Sequence, residues 1–62
     1  MDAEIRSMVD DLEIAVLARN ATIGDLQHDC LHAARCDMKN SHPNWGYVRA
    51  VLAAGLDRPI KR

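Results

Sequence analysis

Asp2–Arg19, DAEIRSMVDDLEIAVLAR, carries the pattern from which the fold class is read. Ile5, Met8, Val9, Leu12, Ala15 and Val16 recur at spacings of three and four, so they share one face of a helix. Asp2 is placed to accept from the free N–H groups of the first turn, and Glu4 complements the positive end of the helix dipole. Ile14 and Leu17 fall outside this stripe. A fold that buries only one face of the helix leaves them wet, so they predict a second contact surface.

After this helix, Asn20–Thr22 interrupts the period. Thr22 followed by Asp25 resembles a capping box with a shortened acid, which predicts a second helix over residues 23–39. Its apolar face reads Ile23, Leu26, Cys30, Ala33, Ala34 and Met38, with Leu31 at the margin. Lys39 and Asn40 suit a helix end, the one by its charge and the other by its tolerance of a left-handed turn. Pro43 biases His42 away from helical angles, which marks Ser41–Asn44 as a loop. A third helix is expected over residues 45–54, capped by Asn44 or Ser41, with Trp45, Val48, Val51 and Leu52 inward. Gly55 is expected to turn left-handed and stop it, folding Leu56 back onto Val51. The expectation is an all-α protein: one three-helix domain over residues 1–56 with helices at 2–19, 23–39 and 45–54, then a short basic tail at 57–62.

Size bounds this fold. A chain of 62 residues holds one domain and a small core. Four Ile, six Leu, four Val, three Met, one Trp, one Tyr and no Phe supply it. Domains this short lean on disulfides, metals or partner subunits, so the sequence predicts completion by dimerisation. Cys30 and Cys36 do not offer a disulfide, since six residues of helix separate them by about 9 Å of rise. Reduced thiols and an acidic Met1–Glu4 predict a cytoplasmic protein with no secretory signal, and no apolar run reaches membrane-spanning length.

Charge is divided along the chain. Residues 1–31 hold seven acids against Arg6 and Arg19, a net of −5. Residues 32–62 hold six bases against Asp37 and Asp57, a net of +4. The total of −1 hides a dipolar molecule whose halves attract each other, a partner or a second copy. Arg49, Arg58, Lys61 and Arg62 are the nucleic-acid contacts the sequence offers, in a helix-turn-helix reading with the third helix in the major groove. Against it, that helix brings few polar groups to read bases, and about four cations give only weak, salt-sensitive binding.

His28, His32 and Cys36 stand at i, i+4 and i+8 along one edge of the second helix, with Asp25 and Asp29 beside them. Imidazole and thiolate are zinc donors, yet structural zinc draws four ligands from more than one element. The expectation is a polar helix edge, with no metal and no cofactor. A thiol nucleophile would need an orienting group, an oxyanion site and a pocket, so no enzyme is expected. Trp45 is assigned to the core and Tyr47 to a rim or interface.

Pro43–Leu52, PNWGYVRAVL, resembles a helical stretch near the ends of DnaD-type and some plasmid replication-initiation proteins. The resemblance covers ten residues and lacks the family's following Trp and basic extension. It implies a bacterial, plasmid or phage setting and assigns no functional residue. The sequence thus predicts a small cytosolic, non-enzymatic regulator that binds another protein and forms a homodimer, with Ile14, Leu17 and Tyr47 at the interface. Its alternative is a DNA-binding regulator of transcription or replication.

Overall fold

A computed structural model describes residues 3–19 and 24–59, which form three helices: α1 (Ala3–Arg19), α2 (Asp25–Met38) and α3 (Trp45–Leu56). The protein is all-α, as the periodicity predicts. Ile5, Met8 and Leu12 of α1 meet Cys30, Leu31 and Ala34 of α2 and Val48, Leu52 and Ala53 of α3 in one buried core. Val9, Val16, Met38, Trp45, Val51 and Leu56 pack around its edge half-buried. The radius of gyration is 11.0 Å, against about 10.6 Å for a folded chain of this length. All three helices contribute to this core.

The stripe of α1 reads out as expected, with Ile14 and Leu17 on the side away from the core, 65% and 77% exposed. In α2 the face is rotated: Leu31 is buried, whereas Leu26 is 64% exposed. The helix begins at Asp25, after Gly24 in an extended conformation with no side-chain cap. Ile23 and Thr22, on which the expected earlier start rests, lie outside the described residues. Asn44 caps α3, its Oδ1 accepting from the Tyr47 N–H at 3.1 Å.

The end of α3 departs from expectation. Gly55 does not stop the helix; it sits buried inside it. A Cβ there would stand 3.0 Å from Cys30 Cβ and 3.2 Å from Leu12 Cδ2. The position demands glycine because three helices meet at it, a close approach rather than a turn. The left-handed residue is Asp57, at φ 56° and ψ 44°. Its N–H donates to Ala54 O, and the Arg58 N–H reaches back to Ala53 O at 2.9 Å. These are the paired bonds of a Schellman motif, moved two residues beyond the predicted stop so that Leu56 joins the core edge.

Candidate functional site

Three ion pairs tie the acidic first helix to the basic half of the same chain. Arg58 Nη2 lies 2.8 Å from Asp11 Oδ2, Arg35 bridges Glu13, and Arg49 Nε is 4.0 Å from Glu4 Oε2. Glu4 faces Arg49 and Asp11 faces Arg58, so α1 and α3 run side by side in the same sense. Each pair is partly exposed and worth about 0–1 kcal/mol. Their main effect is on what remains free. Three of the pairings that the charge division invites are made inside the fold, and Arg58, in the expected basic tail, is tied to α1.

Of the four cations named for nucleic acid, Arg49 and Arg58 are therefore paired with carboxylates of α1, and both line a shallow groove of about 220 Å³ that Glu4, Ser7 and Met8 share. Lys61 and Arg62 lie outside the described residues. A recognition helix must also show base-reading groups outward. The outward side of α3 carries Gly46, Tyr47, Ala50 and Ala54, none of which is a cation or an amide. Tyr47 is 49% exposed, and Trp45 is half-buried against the core.

On α1 the exposed Ile14 and Leu17 are three residues apart and hence neighbours on the helix surface. Exposed Arg6 and Asp10 precede them on the same side. Leu26 and Tyr47 are the other large apolar groups left exposed among the described residues, and they sit on different helices.

The polar edge of α2 resolves into two pairs. His28 Nδ1 turns to Asp29 at 3.6 Å. His32 Nε2 and Cys36 Sγ stand 3.7 Å apart in the open. The three residues aligned in sequence do not converge on one point, and among the described residues no group of three or more His, Cys, Asp or Glu is placed to hold a metal ion. Cys30 is the buried thiol and Cys36 the exposed one. Burial, with the Asp29 charge adding to it, pushes the Cys30 thiol above its ordinary value of 9.0. It stays protonated and packs as a small apolar group.

No helix among the described residues is long and apolar enough to cross a membrane. No protein-family model matches the chain, and no curated protein or solved structure matches it significantly. The resemblance of Pro43–Leu52 to DnaD-type proteins has no family match behind it.

Proposed function

We propose that the protein is a small, non-enzymatic, cytoplasmic interaction module that docks another protein on the outer side of α1, at Ile14 and Leu17. The observation carrying this reading is that two large aliphatic side chains lie adjacent and exposed on a helix whose opposite face already fills the core. Covering one such side chain gives about 1.5–3 kcal/mol. The pair forms the centre of a contact, with Arg6 and Asp10 at its polar margin.

A protein partner is favoured over nucleic acid by the ion pairs. A phosphate must displace Asp11 from Arg58 or Glu4 from Arg49 before it gains either cation. The α3 surface of Gly46, Tyr47, Ala50 and Ala54 then offers only the Tyr47 hydroxyl to read a base edge. An enzyme is disfavoured by the thiols, since Cys30 is buried with its pKa raised and the exposed Cys36 meets His32 on the open edge of α2 rather than in a pocket. The test places a photoreactive apolar residue at position 17 in cells of the source organism. A protein adduct that is lost on Ile14→Asp supports docking there; absence of any adduct rejects it.

A further inference from the structure

On a different helix from that docking face, we propose that His32 and Cys36 form half of a zinc site, completed by the same pair from a second copy of the chain. With a zinc–sulfur bond of about 2.3 Å, a zinc–nitrogen bond of about 2.05 Å and a tetrahedral angle, the two donor atoms stand about 3.6 Å apart. Cys36 Sγ and His32 Nε2 are 3.7 Å apart. The spacing of four residues on α2 already gives the bite that a four-coordinate ion requires, and both groups are exposed.

The single chain stops at two donors. Among the described residues no third His, Cys, Asp or Glu joins them, and His28, one turn before His32, is turned to Asp29. Zinc closes its shell at four in structural sites. A two-fold axis through the ion doubles the pair to Cys2His2, the self-complementary arrangement of an isologous dimer. Two thiolates balance the charge of the ion, and each Cys36 gives up its proton on binding. Arg35, which immediately precedes Cys36, is paired with Glu13 of α1.

The test titrates Co2+, as a visible probe for zinc, into the full chain under a phosphine reductant that prevents a Cys36–Cys36 disulfide. Tetrahedral cobalt–thiolate bands should saturate at one ion per two chains, with the sedimenting mass doubled and both changes reversed by EDTA. His32→Gln should weaken binding by at least about tenfold, since even loss of an outer-shell partner does as much. Cys36→Ser should abolish the bands, and His28→Gln should leave them intact. These surface variants leave the helical circular dichroism unchanged, so loss of the fold is distinguishable from loss of the site. Saturation at one ion per chain, an unchanged mass, or a response indifferent to His32→Gln overturns the proposal.

Discussion

Arg58 Nη2 donates to Asp11 Oδ2 at 2.8 Å across 47 residues of sequence, joining the end of α3 to the middle of α1. Both side chains are about half-exposed, 50% and 39%, so solvent screens the pair heavily. A double-mutant cycle with Asp11→Asn and Arg58→Gln should give a coupling of about 0.5 kcal/mol that shrinks with added salt. A coupling indistinguishable from zero at low salt would show that the two halves are held by the core alone.

Gly55 and Asp57 should respond in opposite directions. Gly55→Ala gains about 1 kcal/mol of helix propensity, but its methyl meets Cys30 Cβ at 3.0 Å and two Leu12 methyls. Overpacking of about 1–3 kcal/mol wins, for a net loss of about 1 kcal/mol. Asp57→Gly relieves a left-handed residue and should raise stability by about 0.5–1 kcal/mol. Urea midpoints for the two variants check both signs. A stabilising Gly55→Ala would mean that the three helices do not meet at that point.

Helix existence was legible because α1 repeats its apolar residues with unbroken spacing, and Pro43 marks the one sharp break. The end of α3 was not legible, because a glycine near a helix end has two uses. Gly55 reads as a stop from local sequence; only the approach of Leu12 and Cys30 from two other helices shows that it is a contact. Leu26 and Leu31 were exchanged for a similar reason, since α2 mixes small and large apolar residues over more than half its circumference. At the candidate site, the exposure of Ile14 and Leu17 followed from periodicity. The ion pairs did not, because Arg58 finds Asp11 through tertiary packing, which charge counts along a chain do not encode. His32 and Cys36 were visible as an i, i+4 pair, but their separation was not.

Cys30 ties stability to alkaline pH. Its folded pKa is raised, by burial first and the Asp29 charge second. Its contribution is therefore complete below the unfolded thiol value and is lost as pH rises through the folded one. The urea midpoint should fall above pH 9.0 more steeply for the native chain than for Cys30→Ala. Parallel curves would remove Cys30 as the cause. In the same protein a thiol reagent should label Cys36 rapidly and Cys30 only on opening of the core.

Duplex DNA should not be retarded at near-physiological salt. If the basic groups bound phosphates, the slope of log K against log salt would be about −3 to −4 for the four cations concerned, and removing residues 57–62 would flatten it. A retarded band lost with that segment would transfer the function to the nucleic-acid reading.

Docking on α1 is measured by photo-crosslinking from position 17 in cells of the source organism, with position 29 of α2 as the control site. Docking at Ile14 and Leu17 requires a protein adduct from position 17 that is absent from position 29, survives nuclease, and disappears on Ile14→Asp while the fold persists. Leu17 and Ile14 are exposed, so these replacements should change stability by no more than about 0.5 kcal/mol. No adduct, or one that nuclease removes, would contradict it.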